Sequence, residues 1–215
     1  MRFKTFKFVA TVVVVMSIGV PTAFASNLVN NGSFEQPASV GAPSLPVGST
    51  YFPGWTVINA EIAQLPPGWP EIPTASDGLY SLDLTGYHDS YPFGGVTQTI
   101  ATIPSATYSL TFDVGATVGG TAQISVTAGN LVGTGSSTST GNLVWTTNSF
   151  TFIASGSSTS INLIGAAASF NGCCYIGLDN VIVTPISSPV PEPGTLMLLG
   201  SGLVGLAGVL RGKLV

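Results

Sequence analysis

The sequence predicts an all-β protein: one β-sandwich of the jelly-roll type, placed between an export signal and a C-terminal hydrophobic helix. Short runs rich in β-branched and aromatic residues recur through residues 26–187, with Gly, Pro, Asn and Ser between them. This region shows no convincing helical periodicity. Charged residues form only 7% of the chain, so hydroxyl and amide side chains supply most of its polarity, as suits an exported β protein.

The first 25 residues predict a cleavable signal peptide. Three basic residues within the first seven positions precede an apolar stretch at residues 8–20. Ala23 and Ala25 then supply the small-x-small pattern of a cleavage site, so the mature chain is expected to begin at Ser26. The apolar stretch is short for a membrane span, which leaves an uncleaved anchor as the weaker alternative.

The middle of the chain, residues 26–187, is predicted to be one domain of ordinary size. Residues 108–114 alternate between apolar and polar side chains, which predicts a half-buried strand. Similar patterns predict further strands at residues 121–127, 148–153, 159–164 and 175–184. Glycine-containing clusters, including Gly133-Thr134-Gly135, are interpreted as the turns between strands. The proline-rich residues 36–78 are the least regular part and predict long loops.

The C-terminal end predicts a linker at residues 188–194 and a hydrophobic helix with a basic tail at residues 195–215. Its apolar part would form a helix about 24 Å long, slightly shorter than a hydrocarbon core of about 30 Å. Arg211 and Lys213 are expected to hold the end of this transmembrane helix on the cytoplasmic side.

Pro191, Glu192 and Pro193 stand directly before this Gly-rich apolar helix and its basic end. The combination resembles the PEP-CTERM sorting signal. That resemblance implies that an exosortase-type membrane protease recognises the tail and removes it during export. The protein would then be anchored transiently in the inner membrane before it reaches the cell surface or the extracellular matrix. A plain C-terminal anchor helix is the alternative.

The distribution of charge excludes one class of partner. All five Lys and Arg residues lie at positions 2, 4, 7, 211 and 213, whereas all nine Asp and Glu residues lie between them. A nucleic-acid surface needs basic residues for affinity, so the mature domain is not expected to bind nucleic acid. Close carboxylates in this domain must be separated, protonated or bridged by a cation.

The two cysteines are the neighbours Cys173 and Cys174. Their Cα atoms are about 3.8 Å apart, below the roughly 4.4–6.8 Å of an ordinary disulfide. A redox-labile or intermolecular bridge, two small buried thiols and one strained vicinal bond all remain open.

The domain opens on Asn31-Gly32-Ser33-Phe34-Glu35 and closes on Leu178-Asp179-Asn180-Val181. These motifs, with the segments between them, resemble the choice-of-anchor C type domain and its galactose-binding-like jelly-roll relatives. Those relatives include a plant cell-wall family and several carbohydrate-binding module families. The resemblance implies a structural calcium ion, whose acidic ligands would match Glu35 and Asp179. The alternative is that Glu35 caps local backbone amides and Asp179 lies in a turn.

Glycan binding would need flat aromatic faces beside hydrogen-bonding groups. The candidates from loops are Trp69, Tyr87, Tyr91 and Phe93, with Trp145 on a predicted strand, whereas Trp55 is expected in the core. Residues 87–91 form the most site-like segment, because they combine two tyrosines, an acid and the lone histidine, His88.

The expected role is a non-catalytic exported surface or matrix protein that binds extracellular polysaccharide. A purely structural surface or biofilm-matrix protein without a glycan ligand is the alternative. A glycan-active enzyme is a weaker one: no G-x-S-x-G elbow is present, but nine acids leave a carboxylate pair conceivable.

Overall fold

The computed structural model describes residues 26–69, 72, 74–117, 119–169, 175–186, 200, 202 and 203. Several predicted features therefore lie outside the described residues: the cleavage site at Ala23 and Ala25, the Cys173-Cys174 pair, the motif Pro191, Glu192 and Pro193, and nearly all of the hydrophobic helix. Within the described residues, no helix has the length and apolar character needed to cross a membrane.

The described part of the domain is a two-sheet antiparallel β-sandwich. In chain order its strands are β1 (Ser44–Leu45), β2 (Thr56–Ile58), β3 (Ile62–Leu65), β4 (Ser81–Asp83), β5 (Gly95–Ala101), β6 (Thr107–Ala116), β7 (Thr121–Ala128), β8 (Leu131–Thr138), β9 (Val144–Ile153), β10 (Ser158–Ser169) and β11 (Gly177–Pro185). One sheet has the order β1-β3-β4-β11-β6-β9 and the other β2-β5-β10-β7-β8. The prediction of an all-β fold is confirmed, and the strands predicted at residues 108–114, 121–127, 148–153, 159–164 and 175–184 correspond to β6, β7, β9, β10 and β11.

The alternating pattern of β6 decides which of its faces is buried. Tyr108, Leu110, Phe112 and Val114 point into the sandwich and are all buried. The facing sheet contributes inward-pointing side chains from alternate positions of its strands, namely Ile124, Val126, Ile161 and Leu163. A two-residue period places successive side chains on opposite faces, so each strand presents one apolar row to this common core.

The cluster Gly133-Thr134-Gly135, predicted as a turn, instead lies inside β8. A Cβ atom on Gly135 would stand 2.8 Å from the Phe112 ring, too close for a side chain. Phe112 stacks on Phe150 with ring centroids 5.7 Å apart. Glycine is therefore needed here for close approach of β8 to two stacked rings, and not for a turn.

Side-chain hydrogen bonds close the side of the sandwich between β8 and β9, and Asn148 makes two of them. Asn148 Oδ1 accepts the backbone N–H of Ser136 at 2.9 Å, and Asn148 Nδ2 donates to Ser136 O at 3.2 Å. These bonds occupy backbone groups on the edge strand of the five-stranded sheet. An edge strand whose backbone N–H and C=O groups are already hydrogen-bonded has fewer free groups with which a second chain could pair.

The strand registers show which segments lie at each of the two ends of the sandwich. Residues 84–94 follow β4 at the end where β11 begins, because Gly177 pairs with Asp83. Residue 186, which leads toward the C-terminal tail, follows the other end of β11, where Pro185 pairs with Tyr108. We call these the distal end and the tether end. At about 3.4 Å per residue, β11 separates them by about 27 Å.

Candidate functional site

The distal end carries an open cavity of about 510 Å³. Its wall combines apolar, hydroxyl and charged side chains, namely Pro46, Val47, Ala60, Glu61, Thr85, His88, Ser90, Tyr91 and Pro92. The cavity thus forms where the turn between β2 and β3 meets the loop between β4 and β5. We refer to residues 84–94 as the distal loop.

Tyr91 is the most exposed aromatic side chain at this cavity, with 78% of its surface accessible. Its ring stands edge-on to Phe93, with centroids 6.1 Å apart. The prediction of an exposed Phe93 is wrong, because this ring is only 7% exposed and packs into the core beside Gly165. Phe93 therefore supports Tyr91 from below and leaves the tyrosine ring as the aromatic surface open to a ligand.

Tyr87 stands beside the cavity and is 54% exposed. Its hydroxyl donates to the backbone oxygen of Ala42, and its N–H donates to Glu61 Oε1 at 2.9 Å. These two bonds tie the start of the distal loop to the segments before and after β1. The ring of Tyr87 is therefore held in place from both ends.

Glu61 is the carboxylate on the cavity wall. Its Oε2 accepts the Ser44 hydroxyl at 2.7 Å, and its Oε1 lies 2.5 Å from His88 Nδ1. The Ser44 hydroxyl, the Tyr87 N–H and His88 all favour the ionised form and together lower the pKa of Glu61 against a smaller opposing effect of burial. The cavity therefore presents a carboxylate that stays charged in mildly acidic solution.

Below the cavity, Asp83 fixes the first turn of the distal loop. Asp83 Oδ1 accepts both the Thr85 N–H at 2.9 Å and the Thr85 hydroxyl at 2.7 Å. Burial raises the pKa of Asp83 to about 7, despite the bonds from Thr85 that favour its charged form. Thr85 lines the cavity although only 2% of it is exposed, so a buried acid fixes a buried hydroxyl in the cavity wall.

Trp69 and Trp145 lie in a different place from the cavity. Both are half-buried members of a cluster on the outer face of the six-stranded sheet, with Ala63, Leu65, Ile72 and Tyr175 at its centre. Trp145 Nε1 donates to Thr74 O at 3.2 Å, and its ring stands edge-on to Tyr175 at 6.3 Å. Trp69 belongs to residues 66–69, 72 and 74–80, which we call the covering segment, so the two tryptophans meet where this segment packs on the sheet.

Glu35 and Asp179 both hold the covering segment. Glu35 Oε1 accepts the N–H groups of Leu79 and Tyr80, each at 2.8 Å. Asp179 Oδ2 accepts those of Ser76 and Asp77 at 2.8 and 2.9 Å, and Asp179 is fully buried. Burial raises the pKa of Asp179 to about 7. Residues at opposite ends of the domain sequence therefore meet at one segment.

This geometry bears on the predicted calcium ion. The oxygens Glu35 Oε1 and Asp179 Oδ2 each already accept two backbone N–H groups, which use the lone pairs a cation would need. No group of three or more His, Cys, Asp or Glu residues suited to a metal occurs among the described residues. In the arrangement seen, these two oxygens fit backbone capping and do not fit calcium ligation. The calcium site itself stays a prediction.

Three acids at these sites were missed from the sequence: Glu61, Asp83 and Asp113. Asp113 was expected on an exposed face, yet it is buried, because the covering segment lies over it and Ser76 Oγ donates to Asp113 Oδ2 at 2.5 Å. Its Oδ1 has no hydrogen-bond partner within the described chain. The register could have revealed the cluster, since Asp113 pairs directly with Asp179.

The class of protein is now defined: an antiparallel β-sandwich with a loop-built cavity at its distal end. The family described as a protein of unknown function, DUF642, matches residues 27–184, and the chain belongs to this family. Residues 189–211 match the PEP-CTERM protein-sorting motif, which marks an exported, surface-sorted protein that an exosortase processes.

Solved carbohydrate-binding modules are similar to the sandwich in fold. TmCBM61 in complex with β-1,4-galactotriose is 16% identical, with 75% of this chain and 99% of that chain covered and a TM-score of 0.47. A family 35 carbohydrate-binding module from Clostridium thermocellum is 12% identical, with 69% and 100% covered and a TM-score of 0.43. Among curated proteins, no match to the chain was found.

Asp83 and Asp179 predict that the domain is more stable in mildly acidic than in alkaline solution. Each has a pKa of about 7 in the folded state, against about 3.9 in an unfolded chain. Between these values the folded state keeps protons that the unfolded state has released. The free energy of unfolding therefore falls as the pH rises through 7. The melting temperature should drop by several degrees from about pH 5 to about pH 8.

Two variants test whether these buried acids cause the pH dependence of the melting temperature. Asp179→Asn carries a neutral side chain at every pH, so it should reduce the dependence measured by thermal unfolding and leave the part that Asp83 contributes. Glu61→Gln removes one charge from a group whose pKa is lowered, so it should leave the slope between about pH 5 and pH 8 intact. A melting temperature that rises over this range would contradict the assignment.

Proposed function

We propose that this chain is a non-catalytic, exported surface or matrix protein whose distal cavity binds extracellular polysaccharide. We further propose that the sandwich is a jelly roll of the galactose-binding-like kind, occupying residues 26–187 of the chain. The observation that carries the proposal is the exposed Tyr91 ring, which stands beside an ionised carboxylate and two hydroxyl side chains in one open cavity.

The chemistry of these groups suits a sugar. The apolar face of a pyranose ring packs on an aromatic face such as that of Tyr91. Sugar hydroxyls donate to Glu61 and exchange bonds with Thr85 and Ser90, which all line the cavity. A volume of about 510 Å³ falls in the range of small-ligand sites. Its open form suits part of a longer chain that continues beyond the cavity.

The position of the cavity suits display on a surface. The distal loop and the residue that leads to the tail lie at opposite ends of β11. While the C-terminal helix is inserted in the inner membrane, the cavity would thus point away from the bilayer. Processing by an exosortase-type protease would then release the domain to the cell surface or the matrix.

The acids support binding better than glycoside hydrolysis. A glycosidase needs one carboxylic acid with a raised pKa at the cleaved bond. The pKa of Glu61 on the cavity wall is lowered, whereas Asp83, whose pKa is raised, lies buried beneath Thr85. The two kinds of carboxylate therefore do not face one another across the cavity.

The structural calcium ion that the sequence predicts is a separate proposal, and it competes with backbone capping by Glu35 and Asp179. A ligand that binds only the folded state raises its stability, so a chelator should lower the melting temperature by several degrees. Asp179→Asn should remove most of this sensitivity. Identical melting in calcium and in chelator would leave these acids with backbone capping alone.

Tyr91→Ala is expected to weaken polysaccharide binding about fivefold or more, because it removes the exposed aromatic face. The full chain, purified in detergent, can be screened on a glycan array and its affinity then measured by calorimetry. Tyr91→Phe, which keeps the ring, is the matched control and should retain most of the affinity.

Each other outcome has a distinct meaning. Unchanged affinity in a folded Tyr91→Ala protein would move the site to Trp69 and Trp145 on the outer sheet face. A protein that binds no glycan would favour the alternative role, a structural surface or biofilm-matrix protein. Turnover of a polysaccharide would establish an enzyme.

The released protein is expected to begin at Ser26 and to lack residues 195–215. The small-x-small site before Ser26 and the PEP-CTERM match at residues 189–211 are the reasons. Mass spectrometry of protein released by its native host measures both termini in one experiment. An intact hydrophobic tail on the released form would argue against removal by a sorting protease.

A further inference from the structure

The charges of the domain restrict the kind of polysaccharide that its cavity can take. No Lys or Arg occurs between positions 8 and 210, so no part of the mature domain carries a permanent positive charge. The one ion pair within the described residues joins Glu61 to His88, which is charged only when protonated. A polysaccharide that carries carboxylates, sulfates or phosphates would therefore meet repulsion, with only a protonated His88, already paired with Glu61, to compensate for it.

Two carboxylates give the cavity its negative charge, one in its wall and one at its rim. Glu61 is part of the wall and stays ionised in mildly acidic solution. Asp89 is exposed in the same loop, and its Oδ1 lies 3.3 Å from the hydroxyl of Thr85, another wall residue. His88, the group next to Glu61, is itself 73% exposed and can move aside at little cost in packing.

We propose, building on the proposed function, that the cavity prefers a polysaccharide with free amino groups, such as a partly deacetylated aminoglycan. An ammonium group on a sugar ring seated against Tyr91 would face the Glu61 carboxylate. The aromatic ring recognises the sugar and the carboxylate recognises its charge, so the two contributions can be measured separately. A neutral polysaccharide would use the ring and hydrogen bonds to Glu61, but it would gain nothing from the charge of the carboxylate.

The test compares three oligosaccharides of equal length on the full chain in detergent, at about pH 5.5, where an amine is protonated. The probes are β-1,4-linked glucosamine, its N-acetylated form and galacturonate. The glucosamine chain should bind about threefold to fivefold more tightly than the acetylated chain, the range expected for a partly exposed ion pair. Galacturonate should bind most weakly.

Three further measurements assign the preference. Glu61→Gln should abolish the advantage of glucosamine over the acetylated chain, and any weakening through lost hydrogen bonds to sugar hydroxyls should affect the two chains alike. Asp77→Asn, which removes an exposed charge outside the cavity, should preserve that advantage. Raising the salt concentration should reduce the advantage, because exposed charges are screened.

The outcomes separate this inference from the proposed function. Equal or tighter binding of the acetylated chain, or an advantage that survives Glu61→Gln, would overturn the preference for amines while polysaccharide binding stands. Failure of all three probes, together with an empty glycan array, would overturn the proposed function itself.

Discussion

Between Lys7 and Arg211 the chain has no lysine or arginine, and this constraint governs how the buried carboxylates of the sandwich are used. An anion inside a protein must be neutralised, paired or hydrogen-bonded. Asp179 and Glu35 accept backbone N–H groups, and Asp83 accepts the N–H and hydroxyl of Thr85. The acids thus take the place that salt bridges would have, and they attach loops to the sheets beneath them.

The same constraint costs the fold little stability. An exposed salt bridge contributes about 0–1 kcal/mol, whereas burial of one large apolar side chain contributes roughly 1.5–3 kcal/mol. Trp55, Phe34, Phe52, Phe112 and Phe152 are among the fully buried side chains, and they lie in one core between the sheets. Burial also keeps a fraction of the acids protonated near neutral pH, which removes charge that would otherwise repel.

The sequence allowed the strands to be predicted, but not what covers them. Alternation along residues 108–114 is local, so it indicated β6 and its buried face correctly. The covering segment has no period, because its prolines prevent regular structure, and its position depends on contacts about a hundred residues away, such as Asp77 with Asp179. Asp113 therefore looked exposed. Gly133 and Gly135 looked like a turn because the rings of Phe112 and Phe150 are distant in sequence.

The site was also predicted only in part, because local patterns are visible in the sequence and distant contacts are not. Composition alone singled out residues 87–91, and the exposed tyrosines there line or flank the cavity. Glu61 was not recognised, since it stands 27 positions before its partner His88. Trp69 was grouped with the tyrosines because sequence cannot tell a loop that stands free from one that lies on a sheet, and Trp145 because the partner that covers its strand face is distant in sequence.

The construction of the distal loop explains how a binding surface can be carried without a change of fold. Its two ends are joined by the bond from Gly94 N to Leu84 O at 2.7 Å, and Gly165 N donates to Gly94 O at 2.9 Å. The sheets therefore fix the base of the loop, while its exposed residues make few contacts with the core. Side chains such as Tyr91 can then vary with the ligand, because the energy that holds the sandwich together lies elsewhere.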